Sequence, residues 1–196
     1  MSAPTIAVFT KNRTNPAYAA ARLGADLTAQ RMGARTAHYV PHKPDDAHEQ
    51  IALIDAALAQ KPDAVVIVPA HPTAVNAAIR RLHDARIPLF GIVNRFSEPE
   101  VLTGFVTSDD YALGLDVALY ACRHLGGRGD VVVVAGPRES VTSLDRVRAF
   151  QDAVKKFPAM RIVATIHGEY QHEDTVRAGK GLLESGISFD ALLCAN

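Results

Sequence analysis

The chain has 196 residues, 48% of them hydrophobic and 21% charged, with 21 Lys plus Arg balanced by 21 Asp plus Glu. This length can bury a real core in one large domain or two small ones. Zero formal net charge and no Lys/Arg run give no electrostatic basis for a nucleic-acid surface or an anionic membrane partner.

The first β-branched run, Ile6 to Thr10, reads as a strand. After the polar loop KNRTN, Pro16 behind Asn15 as cap predicts a helix to Met32 that Gly33 closes. Ala20, Leu23, Gly24 and Leu27 fall at helical spacing and mark its apolar face. The pattern repeats: strand 36–40, helix 46–60 with Ile51, Ile54 and Leu58 on one face, and strand 64–68. The last of these (AVVIV) lacks polar alternation, as expected of a strand covered on both faces. Helix 73–85, strand 89–93 and an extended run 102–107 follow. Next come helix 111–125, strand 131–135, helix 143–157, strand 161–167, helix 173–185 and a last strand 191–195.

Strand–helix alternation with short connections predicts an α/β fold of parallel sheets wound by right-handed crossovers. The rhythm breaks once, where the runs at 89–93 and 102–107 follow each other with no helix between them. That break predicts two doubly wound lobes, 1–107 and 108–196, with the crossing near 107–110. The sequence stops at a strand, so the second lobe is expected to be incomplete, a fragment of something longer.

No apolar run approaches the ~20 residues of a membrane helix, so no membrane insertion is expected. The opening Met-Ser-Ala-Pro-Thr shows neither a basic region nor an apolar region of a signal peptide. Cys122 and Cys194 match neither zinc nor CxxC spacing and read as two small buried hydrophobes. His42 and His48 do not share a helical face, and no HExxH or GxSxG occurs. Gly126, Gly127 and Gly129 precede a strand rather than follow one, so they read as a helix end and not as a phosphate cradle. No cofactor and no metal is expected. Asp109 and Asp110 read as an N-cap for the next helix.

In open parallel sheets ligands bind at the carboxyl ends of strands. The residues there are rich in amides, guanidinium groups and aromatic rings: Lys11, Asn15 and Tyr18, then His71, Asn94, Arg95, Arg146, Tyr170 and Asn196. Planar amides and guanidiniums make paired hydrogen bonds to adjacent hydroxyls, and a tyrosine face gives an apolar platform. The set suits a neutral, hydroxyl-rich ligand.

Several local motifs, in order, resemble one known family. They are Asn15-Pro16-x-Tyr18, Ile87-Pro88 leading to Asn94-Arg95, Thr107-Ser108-Asp109-Asp110, Arg146 with Phe150, and Ala195-Asn196. The chain resembles, over nearly its whole length, the type I periplasmic sugar-binding proteins, of which the ribose-binding protein is the best known. It is similar as well to the inducer-binding domains of LacI-type repressors. The resemblance implies the type I periplasmic-binding-protein fold and a periplasmic protein that captures a sugar or polyol between two lobes by hinge closure, without catalysis. It also implies an ABC transporter permease as partner. Lys11, Asn15, Tyr18, Asn94, Arg95, Arg146, Tyr170 and Asn196 would then line the cleft. Asn15, Arg95, Arg146 and Asn196 would bond hydroxyls, and Tyr18 and Tyr170 would stack on the ring. Ribose binders commonly carry Asp-Arg where this chain has Asn94-Arg95, and two adjacent aromatics where it has Ala17 and Tyr18. An Asn expected after the third strand is Val68. These departures weigh against ribose itself while leaving a sugar or polyol. Two alternatives stand beside this reading: the effector domain of a LacI-type regulator without its DNA-binding part, and a small α/β sugar-processing enzyme using Asp109, Asp110 or Glu169.

Overall fold

Every strand and helix read from the sequence is present in the computed structural model, which describes residues 3–196. The first unit extends to Thr107. It comprises β1 (Thr5–Phe9), α1 (Pro16–Met32), β2 (Arg35–Tyr39), α2 (Ala47–Ala59), β3 (Ala64–Ile67), α3 (Asn76–Asp84), β4 (Leu89–Ile92) and β5 (Gly104–Val106). Its five strands pair in parallel in the order β2-β1-β3-β4-β5. The second unit starts at Ser108. It comprises α4 (Asp110–His124), β6 (Arg128–Ala135), α5 (Val141–Val154), β7 (Ala159–His167), α6 (His172–Glu184) and β8 (Ala191–Cys194). Its three strands are also parallel, in the order β7-β6-β8.

Local chemistry sets the helix ends. The Asn15 side chain accepts a hydrogen bond from the Ala17 amide at 2.9 Å, and Pro16 supplies the first turn without needing a donor. Gly33 ends α1 at φ 69, a left-handed conformation that costs a residue with a Cβ about 1 kcal/mol or more. Asp46 and Asp109 cap α2 and α4 through the amides of Glu49 and Ala112, both at 2.9 Å. Gly126 and Gly127, at φ 66 and 75, turn the end of α4 into β6. α3 starts three residues later than its pattern suggested, because Thr73 and Ala74 donate to His71 Nδ1 instead of joining the helix.

In the first unit, one face of the sheet packs Ala7, Phe9, Val65, Ile67 and Leu89 against Ile54 and Ala57 of α2 and Ile79 and Leu82 of α3. Phe9 stacks on Tyr39 at 4.8 Å. α1 departs from expectation. Leu23 and Leu27 are 58% and 50% exposed, while Tyr18 and Ala29 are the buried residues. The half-buried Arg22 and Ala25 lie on the same stripe, whose alanines let the helix lie close to the strands. In the second unit, α4 and α5 pack on β6 and β8 through Ala118, Cys122, Val131, Val133, Phe150, Ala153 and Leu193. Burial pushes the Cys122 thiol up. Cys194 corrects the sequence reading, because it is exposed. On β8 Ala191 and Leu193 face the helices, and the alternate positions Leu192 and Cys194 are exposed on the other face.

α1 is tied to the edge strand β2 by Asp26, whose Oδ1 accepts from the Thr36 hydroxyl at 2.5 Å and pairs with His38 Nε2 at 2.6 Å. The Thr36 hydrogen bond, then that to His38, holds the Asp26 carboxyl below its usual range. A depressed carboxyl stabilises the fold above its unfolded pKa, and that contribution is lost as pH falls through the folded value. Asp26→Asn is therefore expected to lower stability at neutral pH, with the gap to wild type closing below about pH 4 in denaturant titrations.

Candidate functional site

At the strand ends of the first unit, the loop after β1 is held by a buried polar cluster. Lys11 is only 5% exposed, and its Nζ lies 3.7 Å from Asp45 Oδ1. Asn12, itself buried, donates to the same oxygen at 2.9 Å and accepts from the Asn15 amide at 3.0 Å. Asp45 reaches this cluster from a left-handed turn at φ 60, an uncommon conformation that Asp tolerates better than most residues. Asn15 is thus occupied as a helix cap, and Tyr18 is buried. His71 follows β3 with Nδ1 committed to backbone amides. Asn94 follows β4 and donates to the Pro69 carbonyl at 3.4 Å, joining the β3 and β4 ends. Arg95 beside it is exposed and has no side-chain hydrogen bond or ion pair among the described residues.

The backbone just before that pair is strained. Val93, β-branched, sits at φ 65, and the Asn94 amide folds back onto the Ile92 carbonyl at 2.8 Å. Such a conformation costs of order 1–3 kcal/mol and is usually kept where it aims a functional group. Glycine has no Cβ to clash at positive φ, so Val93→Gly is expected to stabilise the chain by about 1 kcal/mol, read as a raised denaturation midpoint.

In the second unit the central feature is Arg146. Its Nε and Nη2 donate to Asp110 Oδ1 at 3.0 and 2.7 Å, and its Nη1 donates to the Ala195 carbonyl at 2.6 Å. A guanidinium has five N–H groups. Three are engaged, leaving two free beside the end of β8 and the exposed Asn196. Tyr170, at φ 57 after β7, lays its ring over Gly136, where any Cβ would overlap it. Its hydroxyl is buried and has no hydrogen-bond partner among the described residues. Ser143 accepts from the Gly136 amide at 2.9 Å and fixes the loop after β6.

The expected residues therefore gather at the ends of neighbouring strands within each unit, but several are committed to holding loops. Asp109 caps a helix and Asp110 grips Arg146, which leaves neither as a free acid or base. Among the described residues no His, Cys, Asp and Glu group could hold a metal, and no helix is long and apolar enough to cross a membrane. Sequence reading missed Asp45 and Gln50 as organisers, and gave Asp110 a capping role that belongs to Asp109 alone. The fully buried Gln50 bonds the Val68 carbonyl and the Ala70 amide.

Two parallel α/β units thus carry amide, guanidinium and phenol groups at their strand ends, the place where open parallel sheets bind ligands. Residues 6–196 match the periplasmic binding protein domain, and the chain belongs to that family. It is 24% identical over 195 residues to a D-apiose import binding protein of Paraburkholderia graminis, covering 100% of this chain and 62% of the relative. It is also 24% identical over 153 residues to a xylitol-binding protein of Mycolicibacterium smegmatis, covering 78% of this chain and 44% of that one. The chain thus spans about half the length of these relatives. The fold matches an ABC transporter periplasmic solute binding protein of Actinobacillus succinogenes with bound D-allose. The TM-score is 0.91 at 23% identity, over 98% of this chain and 69% of that one.

Proposed function

We propose that this chain is the ligand-binding part of a periplasmic protein that captures a neutral sugar or polyol and delivers it to an ABC importer permease. Arg146 carries the reading. It is a guanidinium fixed by a carboxylate and a carbonyl, with two N–H groups left over at the end of β8. Those two donors suit a pair of adjacent hydroxyl oxygens, and Asn196 adds an amide alongside. Within the first unit, Arg95 and Asn94 stand after β4 with the same kinds of donor group. Relatives named for xylitol and D-apiose support a hydroxyl-rich cargo.

Capture needs no bond to be made or broken. It needs only that the ligand interact more favourably with the bound form of the protein than with the free one. The test is a thermal-shift screen against xylitol, D-apiose, D-ribose, D-allose and myo-inositol, with each sugar recovered and checked for change. A ligand at one hundred times its dissociation constant adds about 2.7 kcal/mol. For a chain of this size that raises the midpoint by roughly 5–10 °C. A shift with one compound, recovered intact, is the expected result. A folded protein that shifts with none of them, or that converts one, overturns the reading.

A further inference from the structure

We infer that Asp110 is a positioning residue for ligand capture: it fixes the Arg146 guanidinium, and with it the end of β8, in the orientation that leaves two N–H groups free. The inference rests on the reading above, in which Arg146 meets the ligand. Asp110 is the first residue of α4, 8% exposed, and its Oδ1 takes both Nε and Nη2 of Arg146. Asp110 Oδ1 on one edge of the guanidinium sets its direction, and the Ala195 carbonyl on Nη1 is the second point that fixes its plane. The Ala195 carbonyl, held by Nη1 at 2.6 Å, belongs to the residue just before Asn196. One side chain thus joins the start of α4, the first turns of α5 and the end of β8.

A second observation comes from Gly114, one helical turn beyond Asp110 on the same face of α4. A Cβ there would stand 2.9 Å from the Arg146 Cα and 3.0 Å from its carbonyl oxygen. The absence of a side chain brings α4 directly against the backbone of α5 at the residue whose guanidinium Asp110 grips. Without that approach the short Asp side chain would fall short of Arg146. Asp110 and Gly114 form one device, made from two positions four apart.

The test uses the full chain and whichever of xylitol, D-apiose, D-ribose and D-allose binds most tightly by calorimetry. Asp110→Ala is expected to weaken binding at least about tenfold, and Asp110→Asn, which keeps volume and one acceptor, by less. In an Arg146→Ala background, Asp110→Ala is expected to cost nothing further. Nitrogen-15 spectra of the arginine side chains give a readout independent of ligand. The Arg146 Nε–H signal, assigned by its loss in Arg146→Lys, is expected to be protected from exchange in wild type and to lose that protection in Asp110→Ala. Where Asp110→Ala is poorly folded, Asp110→Asn and Gly114→Ala carry the same comparison.

Wild-type affinity in the folded Asp110 variants, or an equal loss with and without Arg146, overturns the positioning role while leaving the sugar reading intact. Absence of binding by wild type to all four probes and to myo-inositol overturns the sugar reading itself, and this inference with it.

Discussion

Gln50→Ala is expected to destabilise the chain by about 3–4 kcal/mol and to lower its thermal midpoint by roughly 6–16 °C. Gln50 is fully buried on α2 and is an amide bridge rather than a core hydrophobe. Its Nε2 donates to the Val68 carbonyl at 2.9 Å, and its Oε1 accepts from the Ala70 amide at 2.7 Å. Both backbone groups lie just past β3, where the sheet ladder has ended and no strand partner replaces them. Truncation leaves the buried Val68 carbonyl without a partner at about 1–3 kcal/mol, strips the half-buried Ala70 amide of its acceptor, and opens a cavity. Gln50→Leu fills most of the space yet restores neither bond, so it should recover less than half of the loss. Full recovery by leucine in denaturant titrations would show that volume, not hydrogen bonding, is what the position supplies.

Arg146→Ala is the second large effect, at about 2–4 kcal/mol. Its side chain is 23% exposed and that of Asp110 only 8%, so removing the arginine strands a carboxylate with little access to water. It also frees the Ala195 carbonyl from its 2.6 Å hydrogen bond. Breaking one half of a buried pair costs more than removing both halves, because the desolvated partner is left behind. The Asp110→Ala, Arg146→Ala double variant is therefore expected to be more stable than Arg146→Ala alone. If the double variant were the less stable of the two, the pair would be two independent contacts rather than a mutually neutralised unit. Sugar binding is expected to be weakened in Arg146→Ala and to be weakened no further in the double variant. That pattern separates the contribution of Arg146 to stability, which the second substitution partly restores, from its contribution to the ligand, which it does not.

Local signals account for what was legible in the sequence. Asn15 with Pro16, Asp109 with Ala112, and Gly126 with Gly127 act over a few residues, so pattern and physics coincide there. Strand composition and the single break in the βα rhythm were enough for parallel α/β architecture, because unbroken apolar strands require helices on both faces. α1 failed on a local rule. Its leucines have helical spacing, but alanines decide which stripe can approach a sheet closely, and Leu23 and Leu27 were left outside. Cys194 failed because alternation along a strand does not say which face the helices cover.

The sequence by itself determined the order of elements, the capped ends of α1, α2 and α4, and the placing of amides and guanidiniums after the strands. Each of those follows from chain chemistry within one turn or one strand. Only the tertiary structure decided what those side chains do once gathered. Arg146 and Asp110 are 36 positions apart, Gln50 and Val68 18, and Asn12 and Asp45 33. Hydrogen bonds between such pairs depend on which strands lie side by side and how closely α4 approaches α5. The Cβ-free surface of Gly114 sets that approach against a backbone that no local pattern names. Direction, desolvation and the count of donors left for a ligand are properties of that packing.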